Sequence, residues 1–250
     1  MSKPATTINE VILKLGEIID FHKTENSALC LFPTLYRKVT IAVRDKIEAG
    51  NYFDDNVRME KLDVIFANRY IHAWENWRNN ETLSECWKFS FEAPGKYPLL
   101  ILQHLLLGMN AHINLDLGIA AHHASATLPL NMLKSDFMRI NDILGDLMDS
   151  VQAEVAKYSP WLGIIDRIGR KVDEKMFEFS MKRARDFSWL LASELHTFPA
   201  RENDFIHKRD SISLALARKM TQPGLWLRLA IQIAAWREEN DYVRISTGLS

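Results

Sequence analysis

The sequence predicts an all-α fold: a single-domain multi-helix bundle over residues 1–250 around a buried central helix at about 98–125. Three observations carry this. Apolar residues recur at three- and four-residue intervals in nearly every long segment, the period of a helix with one buried face rather than the alternation of a strand. Gly (10) and Pro (8) are scarce, so few breaks interrupt the helices. One stretch, LLILQHLLLGMNAHINLDLGIAAHHAS, is apolar on every side, as a helix surrounded by other helices must be.

The elements follow in order. Residues 7–22 place Ile8, Val11, Ile12, Leu15, Ile18 and Ile19 on one helical face. A second helix runs from about Pro33, suited to a first turn, to Ala49, and stops at Gly50. The third follows the cap signals Asp54, Asp55 and Asn56 and carries Met59, Leu62, Val64, Ile65, Phe66, Tyr70 and Trp74 up to Arg78. NNETLSECWKFSFEAPGKYP reads as a linker with a short helical turn around Trp87. The central helix takes Pro98 to Ser125, and a fifth opens after Ser135-Asp136 and ends at Ser159-Pro160. A short amphipathic piece at 161–169 precedes helices at 173–197, 203–221 and 225–239, and the tail after Tyr242 reads as extended or frayed. Trp189, Trp226 and Trp236 read as core rather than as a cofactor box.

Composition narrows the function classes. A hydrophobic content of 47% with 25% charged residues suits a globular core. Lys+Arg (31) and Asp+Glu (32) nearly cancel along the chain, leaving no basic stripe for phosphates, so nucleic acid is not expected as a partner. The central helix is long enough for a membrane span, but Gln103, His104, Asn110, His112, Asn114 and Asp116 would be costly in hydrocarbon, so no membrane is expected. Cys30 and Cys86 fit no zinc or disulfide spacing and read as free buried thiols; with an N-terminus too charged for a secretory leader, the expected location is the cytoplasm. Oligomeric state is not legible.

Polar residues in so apolar a helix need a reason, because each unpaired buried group costs on the order of 1–3 kcal/mol. At about 100° per residue, His112, Asp116 and His123 share one face, and Asn110 and Asn114 nearly the opposite one. His112 and Asp116, one turn apart, suit either an acid/base pair or two ligands of a divalent metal ion; equally, Asp116 accepts a proton from the His112 ring in a packing network. The His122-His123 pair lies at the helix end, where a solvated or dipole-facing role is favoured. In FANRYIHAWENW, Arg69 suits bidentate binding of a carboxylate or phosphate, or a pairing with Asp116 in the core. Asp142, Asp146 and Asp149 read as a solvated acidic face. No phosphate loop, HExxH or GxSxG motif occurs.

At Asn68-Arg69-Tyr70, at GMNAHINLDLGIA (108–120) and at DFMRINDIL (136–144), the chain resembles a bacterial family of unknown function numbered 5995. Weaker likeness reaches the helix at 31–50 and KRARDFSWLLA at 182–192. The resemblance implies no activity. It implies candidate positions, matched here by Asn68, Arg69, Tyr70, Asn110, His112, Asn114, Asp116, Asn141 and Asp142. The family often carries Pro where this chain has Gly118, and the C-terminal third matches less well, so nothing is carried over there.

These residues set two expectations. The first is a polar pocket between the third, fourth and fifth helices that binds a small molecule and a divalent metal, with His112 and Asp116 as catalytic residues and metal ligands. Asn68, Arg69, Tyr70, Asn110, Asn114, Asn141 and Asp142 would line it, and hydrolysis is the chemistry such a set suits. The second is a non-enzymatic helical binding or scaffolding protein whose buried polar residues fix helix register.

Overall fold

Each helix forms for reasons visible at its ends and on its buried face. The computed structural model describes residues 3–159, 181–222 and 231–250, and no strand occurs among them. Helix α1 (Ile8–Thr24) starts at Thr7, whose side chain accepts the Glu10 backbone N–H, and buries the predicted face from Ile8 to Ile19. Helix α2 (Leu31–Ala49) ends where Gly50 adopts φ +80°, a left-handed conformation that glycine enters without steric cost. Helix α3 (Asn56–Arg78) is capped by Asp55, whose carboxylate accepts the Arg58 N–H.

The central rod is continuous but not uniform. It comprises α5 (Ile101–Ala111), a π-helical segment (His112–Asp116) and α6 (Leu117–Ala124). In the π segment the Leu117 N–H reaches back five residues to the His112 carbonyl. Between Ile101 and Ser125 only His123 is exposed. Helices α7 (Lys134–Tyr158), α8 (Met181–Thr197), α9 (Glu202–Thr221) and α10 (Tyr242–Leu249) follow. The rod is enclosed in two tiers: α4 (Glu85–Lys96), α9 and α2 pack on α5, while α3 and α8 pack on α6. Gly118 permits a close approach of α8, since a Cβ there would lie 2.6 Å from the Ser188 backbone carbonyl oxygen.

Several local expectations are corrected. The linker after Arg78 contains a full helix, α4, whose first N–H groups, on Glu85 and Cys86, are taken at 2.8 and 2.9 Å by the Asp210 carboxylate of α9. That cap comes from a distant part of the chain, while the local N-cap residue, Ser84, makes no side-chain cap bond. The tail after Tyr242 is helical rather than frayed: Asp241 caps it, and Ile245 and Leu249, one turn apart, are fully buried. Asp136 does not cap its own helix; it accepts the Asp54 and Asp55 N–H groups at 2.8 and 2.9 Å and so pins the α2–α3 loop. Trp236 is 90% exposed, and Trp189 is half-buried against Phe137, so the tryptophan stripe is not one core; Trp226 lies outside the described residues, as does the piece at 161–169. Both cysteines are free and buried. Among the described residues no helix is long and apolar enough to cross a membrane.

Candidate functional site

At the π segment the rod changes its rotational register. One extra residue in a turn rotates everything beyond it by about 100° relative to an uninterrupted α-helix. His123 therefore leaves the face shared by His112 and Asp116 and meets Glu202 instead, at 3.3 Å.

Asp116 is the hub. Its Oδ1 accepts from Arg69 Nε at 2.7 Å, and its Oδ2 accepts from the Trp87 indole N–H at 2.7 Å and faces His112 Nδ1 at 3.3 Å. Three elements thus deliver four groups: α3 brings Arg69, α4 brings Trp87, and the π segment brings His112 and Asp116. The Asp116 carboxylate is fully enclosed, whereas the Arg69 side chain is 31% exposed, so its guanidinium runs from the buried charge to solvent.

Burial pulls the Asp116 carboxyl upward, but the Arg69 charge and the hydrogen bonds from His112 and Trp87 outweigh it and hold the group below its ordinary range. Burial also dominates at His112; the Asp116 hydrogen bond and charge pull the other way, and the imidazole still titrates below its usual value. His112 is therefore neutral at pH 7. An ionised carboxylate can only accept, so Nδ1 carries the proton and Nε2 presents its lone pair.

Aromatic rings hold the imidazole in place. Phe66 stacks on it, with centroids 3.5 Å apart and planes 5° from parallel, and Tyr36 meets it edge-on at 4.5 Å. Phe32, Tyr70 and Trp87 stand within 6.0 Å. Two polar atoms around this cage are buried without a hydrogen-bond partner: His112 Nε2 and Asp63 Oδ2. Burial, then the nearby Glu60 charge, push the Asp63 carboxyl up to about 7, and burial followed by Asp63 and Asp116 pushes the Tyr36 phenol well up.

Of the residues singled out in the sequence, Arg69, His112 and Asp116 come together, with Tyr70 in the surrounding cage. Asn68 instead clamps the segment before α1, bonding both the N–H and the carbonyl of Ala5 at 2.9 and 2.8 Å. Asn110 donates to the Ser213 carbonyl of α9 at 2.8 Å and accepts from Asn114 at 2.9 Å, so that pair forms a separate polar ladder. On α7, Asn141 reaches Met138 of its own helix and Asp142 is exposed, which sets both apart from the enclosed centre.

Tyr36, Asp63, Phe66 and Trp87 were missed. Asp63 left a signal, since a carboxylate between Leu62 and Val64 on a helix of buried residues needs a reason. Trp87 left only a short helical turn as its signal, because the carboxylate that caps α4 comes from α9.

The space near the cage is small. A cavity of about 20 Å³, lined by Phe32, Tyr70, Trp87, Ser90, His104 and Gly108, has room for about one water molecule. A larger opening of about 440 Å³ lies elsewhere, over Asp20, Lys23, Arg37, Lys38 and Ser250, and includes none of the sequence-flagged residues.

Fold and site together define an all-helical protein built on a buried rod, with a histidine–carboxylate–guanidinium centre at the rod's π segment. The chain belongs to a family of unknown function, DUF5995, whose model matches residues 8–223. No curated protein and no solved structure matches it.

Proposed function

We propose that the chain binds a small molecule against the Arg69–Asp116–His112 centre and that His112 acts on it as a general base. The observation that carries this is the His112 ring: neutral, oriented through Nδ1 by Asp116, and left with a buried Nε2 that nothing satisfies. Native proteins rarely strand such atoms, and each that persists calls for an explanation, a catalytic role among them. The partnerless Asp63 oxygen nearby supports the same reading, and so does the π segment, a feature frequent at functional sites. Arg69, bridging Asp116 and solvent, is the anchor for an anionic or ester oxygen.

An oriented neutral base with a guanidinium beside it suits hydrolysis of an ester or phosphoester. A divalent ion held by His112 and Asp116 would be the metal-assisted form of this chemistry. The donor set favours the metal-free form, because the Arg69 cation already occupies Asp116 Oδ1 and Trp87 occupies Oδ2.

The second reading is a structural network that locks helix register, favoured by the enclosure of Asp116 and by the small space beside the cage. A hydrolysis assay on p-nitrophenyl esters and p-nitrophenyl phosphate separates the two. The catalytic reading expects turnover that falls at least about 100-fold in His112→Gln while the thermal midpoint stays near that of the wild type. Wild-type protein with no turnover above background, together with a large drop of the mutant midpoint, supports the structural reading. Elemental analysis of protein purified without chelator or affinity tag tests the metal-assisted form.

A further inference from the structure

A second histidine–carboxylate grouping, not used by the centre above, closes the C-terminal end of the same rod. His122 and His123 stand in the last turn of α6, His196 in the last turn of α8, and Glu202 in the first turn of α9. One ligand atom from each of His122, His123 and Glu202 lies within 4.8 Å of the other two. The ring centroids of His122 and His123 are 5.3 Å apart, and those of His122 and His196 are 6.0 Å apart. Zinc–nitrogen bonds of about 2.0–2.1 Å place two imidazoles of one tetrahedral ion with centroids roughly 5 Å apart. The rings already stand close to that separation, and side-chain rotations alone would bring the donor atoms inward.

Three further observations point to a cation. His122 Nδ1 is buried and has no hydrogen-bond partner. Two helices, α6 and α8, end here, each directing the negative end of its dipole towards the grouping. His123 is the single exposed residue of the rod between Ile101 and Ser125, so its imidazole is open to ions from solvent. Imidazole nitrogens with one carboxylate suit zinc rather than calcium or magnesium, which prefer oxygen donors.

We propose that His122, His123 and Glu202, with His196 at the fourth position, form a zinc site that ties the ends of α6 and α8 to the start of α9. These ligands come from three separate parts of the chain, so the ion would act as a clamp over the end of the rod.

The test uses the full-length, tag-free chain, stripped with chelator and titrated with zinc against a chromophoric competitor. Cobalt serves as a spectroscopic substitute whose visible absorption reports tetrahedral coordination. One equivalent per chain is expected at micromolar zinc, with affinity weakened at least about tenfold in His123→Ala and in Glu202→Gln, and by less in His196→Ala. Both main substitutions are at accessible side chains, and circular dichroism of the metal-free variants verifies the fold. Failure to take up zinc at micromolar concentration overturns the site. So does uptake of equal affinity in the wild type and both main variants.

Discussion

The two histidine–carboxylate groupings of the central rod share a helix and differ in what surrounds them. Around His112 the carboxylate is enclosed, and both its oxygens are engaged by Arg69 and Trp87. Around His123 the partner carboxylate belongs to Glu202, whose side chain is 35% exposed, and among the described residues no arginine or tryptophan donor bonds it. The same residue types therefore have opposite consequences. A buried charge must be paired from within the protein, which excludes a competing cation, whereas a half-exposed one stays available to an ion from solvent. Stability should concentrate at the first grouping and metal affinity at the second.

The largest expected effect is at Asp116. Asp116→Ala strands the Arg69 charge and the Trp87 N–H, and should cost about 3–5 kcal/mol in urea unfolding, on the order of 10 °C in Tm. A loss below about 1 kcal/mol would show that the enclosed network is not what holds the rod.

Asp63 comes next and has a pH signature. In the folded chain it keeps its proton up to about pH 7, against 3.8 when unperturbed. Folding therefore takes up a proton between those values, and stability falls as pH rises through that window. Asp63→Asn removes this loss: the variant should be close to the wild type near pH 4 and exceed it by about 4 kcal/mol at pH 8. Equal pH profiles for the two proteins would remove Asp63 from the account of the cage.

Gly118 lies on the rod between the two groupings and tests how closely α8 must approach. Gly118→Ala places a methyl group against the Ser188 backbone carbonyl, where a Cβ would lie at 2.6 Å, and should cost about 1–3 kcal/mol. Gly145→Ala on α7, where a Cβ meets nothing within 4 Å, is the control and should be neutral or slightly stabilising. Similar midpoints for the two variants would argue against tight packing of α8 on the rod.

The smallest effect is at Glu202. In metal-free protein Glu202→Gln should change stability by less than about 0.5 kcal/mol, since a half-exposed pair with His123 contributes little. A large loss there would blur the contrast between the two ends.

By itself the sequence determined the fold class and the identity of the central helix, because a 3.6-residue apolar period and an all-round apolar surface are local properties that burial must respect. It also marked Arg69, His112 and Asp116, because the energetic cost of burying polar groups is a property of the residues themselves. Only the tertiary structure decided which of those groups meet. Asp210 capped α4 from the far end of the chain and so delivered Trp87, and the π segment rotated His123 away from His112 and towards Glu202. Both outcomes depend on residues distant in sequence or on a single inserted position in a helical turn, and neither leaves a trace in the period of the apolar residues.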